Sequence, residues 1–439
     1  MSDQQTATDP GPYDVIVVGA GICGIVFLTY AREHGLRCLV LDKQPDVGGV
    51  WRWLPAWQDI QNRREDFAIN DVPLNGVQQP DIVEHVHEWV RCHELVPFIR
   101  LNCEVTSARW TGEQWRVQTR DGALLATHLV VASGVQNEPW VPAVERSRSD
   151  VVERHSSGLH DPDKLAGQRV TVVGGGTSSW DLLDLAIAHG ADDIHWVYRN
   201  VRWFLPTTRT KQRAWPNLRE LAVVQSVMRS DNAVTGFLRW LLRGLYDSLQ
   251  LTDIEPAEPF DVRRHQLIPG RSQMIQHLDA IRRHRGEVRA IRGRQVTLDT
   301  GERFDTDALL WATGYRMNLG YLDLPEFSRV VTLDQLRPKL GSLVRSVDHP
   351  NLFFVGMTLI DSTSATPFFA AIEAKSIVAH IQGRCDIPTT NVPHLVTHWD
   401  LFRHFAAFDH VHYPRGWWKL KYFLLAWWYA ILHDTSVKV

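Results

Sequence analysis

The chain has 439 residues, enough for two or three domains, and its 44% hydrophobic and 22% charged residues are ordinary proportions for a soluble globular chain. A formal net charge of -3 supplies no basic field for nucleic acid, and the five cysteines (Cys23, Cys38, Cys92, Cys103 and Cys385) form neither a C-x-x-C pair nor a zinc-spaced Cys/His cluster, which argues against a dithiol-disulfide reductase and gives no metal site. The polar N-terminus lacks the apolar core of a signal peptide and no apolar run suits a spanning helix, so a cytoplasmic protein with reduced thiols is expected.

The run Tyr13-Asp-Val-Ile-Val-Val-Gly19 is β-branched and uncharged after Asp14, the pattern of a parallel strand buried on both faces. Gly19-Ala-Gly21-Ile22-Cys23-Gly24 follows at once, then an apolar helix to about Glu33. This is G-x-G-x-x-G between a strand and a helix. The first glycine allows the turn, the second lets backbone approach a pyrophosphate, and the third lets helix and strand pack closely. The helix N-terminus offers free N–H groups and a positive dipole end to the phosphates. A second strand, Arg37–Leu41, ends in Asp42, where an acid holds ribose hydroxyls. Asp46-Val-Gly48-Gly49-Val50-Trp51 comes next; its paired glycines let the chain pass close to an extended cofactor, the feature that points to FAD rather than NAD. Trp51 either covers the ring system or packs in the core.

The run Gln168–Val173 is another buried strand, followed by Gly174-Gly-Gly176-Thr177-Ser178-Ser179 and a helix from Trp180 through Ala188. It forms a second cradle, with Ser179 as the close-packing residue. The next strand, Asp193–Tyr198, ends in Arg199 where the first fold carries Asp42. An acid there repels a ribose 2′-phosphate and an arginine binds it, so this cradle suits NADPH; the plainer alternative makes Arg199 a solvated surface residue. Two segments then repeat one form: Thr127–Gly134 and Asp307–Tyr315 are apolar strands closed by Ala132-Ser-Gly134 and Ala312-Thr313-Gly314, read as paired crossings between two domains beside the cofactors. A further strand runs from Pro350 to Gly356, and Pro367 opens a helix from Phe368 to about Gln382, whose N-terminus faces the flavin in this reading.

On these motifs the chain, over roughly residues 13 to 385, resembles the class B flavoprotein monooxygenases: flavin-containing monooxygenases, Baeyer–Villiger monooxygenases and N-hydroxylases. The family fingerprint F-x-G-x-x-x-H-S-x-x-Y corresponds here to Ser149–Leu159. The pair His155-Ser156 is present, but Ser149, Val151 and Leu159 stand at the Phe, Gly and Tyr positions. The Baeyer–Villiger form expects tryptophan at Leu159, so ring expansion is disfavoured. His155 is read as a linker between domains near NADP, against the alternative of a solvated loop histidine. Relatives also carry an amide side chain ahead of an Asp-Phe-Pro-like tripeptide, over the flavin. Here that places Gln61, or Asn62 if one residue has been lost, as the catalytic amide before Asp71.

The resemblance implies an α/β fold with two Rossmann-like dinucleotide-binding domains, one for FAD and one for NADPH. It implies a first FAD part at 1–155, an NADPH domain at 156–315 with a helical insertion at about 203–270, and a second FAD part at 316–386. An aromatic-rich extension follows at 387–439. Cofactor contacts are expected from Gly19, Gly21, Ile22, Cys23, Gly24, Asp42, Lys43, Gly49, Val50, Trp51, Gln61, Val105, Ala132, Gly134 and Thr366. Further contacts are expected from His155, Gly174, Gly176, Thr177, Ser178, Ser179, Arg199, Ala312, Thr313 and Gly314. The implied activity is insertion of one oxygen atom of O2 into a small lipophilic or aromatic substrate through a peroxyflavin. Hydroxylation or N/S-oxygenation is favoured over Baeyer–Villiger oxidation. The alternatives are an NADPH:acceptor oxidoreductase and a nucleotide-sensing binder. The insertion, with Trp203, Trp215, Trp240 and Tyr246, reads as a cap on the substrate pocket or a structural or dimer-forming element. The segment Trp399–Trp428 reads as packing over the pocket, as a peripheral membrane contact or as a homodimer interface.

Overall fold

The computed structural model describes residues 12–60, 64–67, 69, 72–205, 231–261, 265, 268–357 and 366–389. Its centre is the strand Tyr13–Val18, parallel to Cys38–Leu41 on one side and to Gly122–Val131 on the other. Val15, Ile16 and Val17 are fully buried, which explains the unbroken β-branched run: both faces of this strand are covered. The sheet continues outward to Ile99–Arg100 beyond Cys38–Leu41 and to Leu352–Phe354 beyond Gly122–Val131. An antiparallel meander, Ser107–Trp110 and Trp115–Thr119, folds back onto Gly122–Val131. The helices Ile22–Glu33, Gln79–Cys92 and Thr366–Ile381 contribute to one apolar core on a face of this sheet, joined by Val17, Val40 and Phe353.

The second sheet has five parallel strands in the order Ile281–Arg285, Asp193–Tyr198, Arg169–Val173, Ala308–Trp311, Val152–His155. The chain therefore leaves Arg169–Val173 for neighbours on both sides. Such a switch point opens a crevice at the carboxyl ends of the strands, and Gly174 sits there. Val152–His155, counted in sequence with the first domain, hydrogen bonds into this second sheet. So does Glu145–Ser147 with the small sheet Val288–Arg292, Gln295–Leu298, Arg303–Asp305 that packs on it.

The insertion leaves and returns through two short strands that pair with each other, Phe204–Leu205 and Ile268–Pro269. Its described helix, Asp231–Ser248, turns Leu242 and Tyr246 into a core with Trp203, Phe204 and Phe260. Trp240 on the same helix is 71% exposed. Trp215, the segment Trp399–Trp428 and the rest of the extension beyond residue 389 lie outside the described residues. Among the described residues no helix is long and apolar enough to cross a membrane.

Candidate functional site

The first cradle is built by backbone contact. Gly19 has φ +114°, and a Cβ there would lie 2.4 Å from the Ala132 carbonyl oxygen. A Cβ on Gly24 would lie 1.9 Å from the Gly19 oxygen, so the helix Ile22–Glu33 closes on its strand only because that residue has no side chain. Gly21 differs. A Cβ there would meet only the backbone of Gly49, its Cα 3.6 Å away. Gly21 is also the N-cap of the helix and gives it no side-chain cap, so the first-turn N–H groups remain to bind an anion. Beside it, the Asp42 carboxylate accepts from the backbone N–H of Ala20 at 2.6 Å and of Gln44 at 2.8 Å. Burial raises its pKa above the ordinary carboxylate range, against the pull of those two donors. The Trp51 ring stands edge-on to Phe67 at 5.8 Å and lines the cavity.

The second cradle repeats the plan. Gly174 has φ +140°, and a Cβ on it would lie 2.3 Å from the Ala312 oxygen. Gly175 presses on Asn200, whose carbonyl oxygen would be 1.9 Å from an added Cβ. Gly176 is the uncapped N-cap of the helix Thr177–Ala188, and the nearest atom to an added Cβ is Arg202 Nε at 3.9 Å. Ser179 is fully buried and its Oγ donates to the Gly176 carbonyl at 2.6 Å, closing the turn in place of a third glycine. Arg199 is exposed, and its Nη1 donates to Glu287 at 3.2 Å.

The two crossings meet. Tyr315–Arg316 runs antiparallel to Glu138–Pro139, so the exits after Gly134 and Gly314 form a short ribbon between the sheets. The Thr313 hydroxyl donates to the Trp140 carbonyl, and the Trp140 N–H donates to Gly314 O at 2.9 Å. His155 Nε2 donates to Gly314 O, also at 2.9 Å, so this histidine is fixed on the crossing rather than solvated. A second bridge between the halves is Trp57, whose indole N–H donates to the Leu159 carbonyl at 2.6 Å.

One cavity of about 1670 Å³ runs between the cradles. It is lined on the first side by Gly19, Gly21, Ile22, Cys23, Asp42, Lys43, Gly49, Val50, Trp51, Val105, Ala132 and Gly134. On the second side it is lined by Gly174, Gly176, Thr177, Ser178, Arg199, Ala312, Thr313 and Gly314. Gly24, Ser179 and His155 do not line it; they hold the walls. Gln61 and Asn62, with Asp71, lie outside the described residues, although Ile60 and Phe67 on either side line the cavity. Thr366 begins the helix Thr366–Ile381, and its side chain is likewise outside the description.

The donor set fits two dinucleotides. Each cradle pairs an uncapped helix start with a glycine (Gly21 or Gly176) at which a side chain would meet little besides the cavity. Sequence reading missed Arg202, Glu287, Asp181 and Trp57. Arg202 was findable as a second cation just past the strand end. Asp181 lies on the helix that the second glycine turn opens, whereas Glu287 and Trp57 are placed by long-range packing and carry no local signal.

All five cysteines are free. Burial, then the nearby Glu373 carboxylate, pushes the Cys23 thiol up, and burial does the same to Cys38, so both favour the neutral thiol. No group of His, Cys, Asp and Glu among the described residues suits a metal ion.

Residues 16–234 match the family described as pyridine nucleotide-disulphide oxidoreductase. The chain is 23% identical over 393 residues to monooxygenase aurF of Gibberella zeae, covering 79% of this chain and 73% of that protein. It is 22% identical over 351 residues to flavin-containing monooxygenase 5 of Mus musculus, covering 70% of this chain and 63% of that protein, so it spans less than two thirds of that relative. The fold superposes on a flavin-containing monooxygenase from Stenotrophomonas maltophilia with a TM-score of 0.61 at 19% identity, over 85% of this chain and 99% of that one. It superposes on an oxidized steroid monooxygenase bound to NADP with a TM-score of 0.65 at 19% identity, over 85% of each chain.

Proposed function

We propose that the chain, which resembles the class B flavoprotein monooxygenases, holds FAD in the first cradle and NADPH in the second and inserts one oxygen atom of O2 into a small organic substrate. The observation that carries this reading is the single cavity lined by both glycine turns. When bound, NADPH supplies a hydride and FAD supplies the activation of oxygen. The chain's own residues bind, orient and enclose. The N–H groups behind Gly21 and Gly176 take the two pyrophosphates. Asp42 accepts from ribose hydroxyls, and Arg199 with Arg202 faces the 2′-phosphate. The ribbon Glu138–Pro139 with Tyr315–Arg316 fixes the distance between the cradles, and His155 and Trp57 lock it from two sides. Trp51 and Phe67 make an apolar wall that limits water around the reacting centre. Gln61, or Asn62, is the amide proposed to orient the oxygen-reacting centre.

Leu159, at the position of the Baeyer–Villiger tryptophan, is a buried aliphatic residue whose carbonyl accepts from the Trp57 indole N–H. This supports hydroxylation or N/S-oxygenation over ring expansion. The test is turnover under isotopically labelled O2 with a panel of amines, sulfides, aromatics and ketones. One labelled oxygen atom in an amine, sulfide or aromatic product supports the reading. NADPH consumption that reduces an added acceptor with no label in any organic product contradicts it.

A further inference from the structure

The rim of the second cradle carries both signs of charge. Arg199 follows the strand Asp193–Tyr198, and its Nη1 lies 3.2 Å from Glu287 Oε1. The two side chains are 68% and 58% exposed, and both residues line the cavity. Glu287 comes from the turn between Ile281–Arg285 and Val288–Arg292, and that turn is pinned. Gly286 N–H donates to Tyr198 O at 3.0 Å, Glu287 N–H donates to Asp299 Oδ1 at 2.7 Å, and Asp299 N–H donates to Glu287 O at 2.9 Å. A Cβ on Gly286 would lie 2.6 Å from Asp299 Oδ1, so the turn has little room to move. The carboxylate is therefore tethered beside Arg199. The neighbouring cation Arg285 is engaged locally, with Nε donating to Arg199 O at 3.3 Å and Nη2 to Asn200 Oδ1 at 3.4 Å.

We infer that Glu287 sets coenzyme selectivity: its carboxylate competes with a ribose 2′-phosphate for Arg199 and accepts a hydrogen bond from a free ribose 2′-hydroxyl. This rests on the placement of NADPH in the second cradle. An exposed ion pair is weak, so a phosphate dianion that forks onto the guanidinium displaces it. The backbone of Glu287 is held, so its displaced carboxylate remains within side-chain reach of the new negative charge. A ribose with a 2′-hydroxyl meets the opposite situation, since a carboxylate beside the end of the second strand, where dinucleotide folds carry a ribose-binding acid, can accept from it. One rim thus offers Arg199 to NADPH and Glu287 to NADH. The consequence is a narrower preference between the two coenzymes than Arg199 alone would give.

Calorimetric titration of the full-length protein with 2′,5′-ADP and with 5′-AMP tests this without turnover. Glu287→Gln keeps the shape and removes the charge; matching thermal melts establish that the variant is folded. The expected result is about three- to tenfold tighter 2′,5′-ADP, with 5′-AMP unchanged or weaker, an effect that shrinks at high salt. Arg199→Ala is the companion variant and should reduce the advantage of 2′,5′-ADP over 5′-AMP, leaving what Arg202 supplies. If that advantage exists and Arg199→Ala reduces it, but Glu287→Gln leaves both affinities unaltered, the inference is overturned and the NADPH placement stands. If the protein does not distinguish the two nucleotides and Arg199→Ala changes neither, the placement fails and the inference falls with it.

Discussion

His155 and Gly314 are joined by one hydrogen bond, 2.9 Å from the imidazole Nε2 to the glycine carbonyl, at the point where the chain crosses between its two sheets. A carbonyl only accepts, so Nε2 carries the proton and Nδ1 is the acceptor for the Ser157 hydroxyl and N–H, 2.9 and 3.3 Å away. The same Gly314 carbonyl takes the Trp140 N–H, so the histidine fixes a turn that other bonds already shape. His155→Ala should lower stability by about 1–2 kcal/mol and slow flavin reduction by NADPH more than it weakens NADPH binding. Denaturant unfolding and stopped-flow absorbance measure the two effects. His155→Gln, which can still donate to Gly314, should recover part of both. Equal reduction rates in wild type and His155→Ala would remove this residue from domain positioning.

Acid should destabilise the fold through histidines that must stay neutral. Burial, ahead of a smaller opposing hydrogen bond, holds His85 and His155 below the ordinary histidine value of 6.5. His85 Nε2 accepts the Ile69 N–H at 2.9 Å, a role lost on protonation. With a depressed folded pKa, the unfolded chain binds more protons below pH 6.5, so stability is present above that value and falls as pH drops through the folded pKa. Melting temperature against pH should be flat near neutrality and decline on the acid side. His85→Gln, whose amide oxygen can still accept, should flatten part of that decline. An unchanged slope would place the acid sensitivity elsewhere.

The glycines divide into those the fold needs and those the cavity needs. Gly24→Ala and Gly174→Ala put a methyl 1.9 Å and 2.3 Å from backbone oxygens, and Gly174 also holds φ +140°. Both variants should yield little folded protein. Gly21→Ala and Gly176→Ala meet nothing nearer than 3.6 and 3.9 Å, so they should fold with melting temperatures near wild type. Gly21→Ala should lose bound flavin, and Gly176→Ala should raise the KM for NADPH at least tenfold, because the methyl stands where a pyrophosphate passes. Normal coenzyme use by Gly176→Ala would place NADPH outside this cradle.

Arg271 and Asp181 form a buried pair, 2.6 Å apart and 5% and 7% exposed. Asp181 rides on the helix Thr177–Ala188 and lines the cavity, whereas Arg271 follows the strand where the insertion returns. Removing one partner leaves the other charge buried, so Asp181→Ala or Arg271→Ala should each cost about 3–5 kcal/mol. Replacing both with well-packed apolar residues should recover most of the loss. Chemical denaturation reads the result; additive losses in the double variant would show that the two side chains do not act as a pair.

The parallel strands and their glycine turns were legible because their signals are local. A buried β-branched run, a glycine with nowhere to put a side chain and a helix start follow each other within a few residues at Tyr13–Glu33 and again at Arg169–Ala188. Even there the second helix begins at Thr177, not Trp180, because Thr177 and Ser178 form its first turn. The walls of the site were not legible in the same way. Glu287 reaches Arg199 from 88 positions away, and Trp57 reaches Leu159 from 102. Such pairs are set by how two sheets dock, which no local pattern encodes. The antiparallel pairing of Tyr315–Arg316 with Glu138–Pro139 was half visible as two similar strand endings, yet their contact emerges only in three dimensions.

The most direct test of the account mixes the purified protein with NADPH in the absence of oxygen and follows the yellow flavin absorbance. Two cradles opening on one cavity predict that the protein retains flavin, that NADPH bleaches it in a saturable reaction, and that Gly176→Ala slows the bleaching at subsaturating coenzyme. A protein that retains flavin while NADPH leaves its colour unchanged would contradict the account.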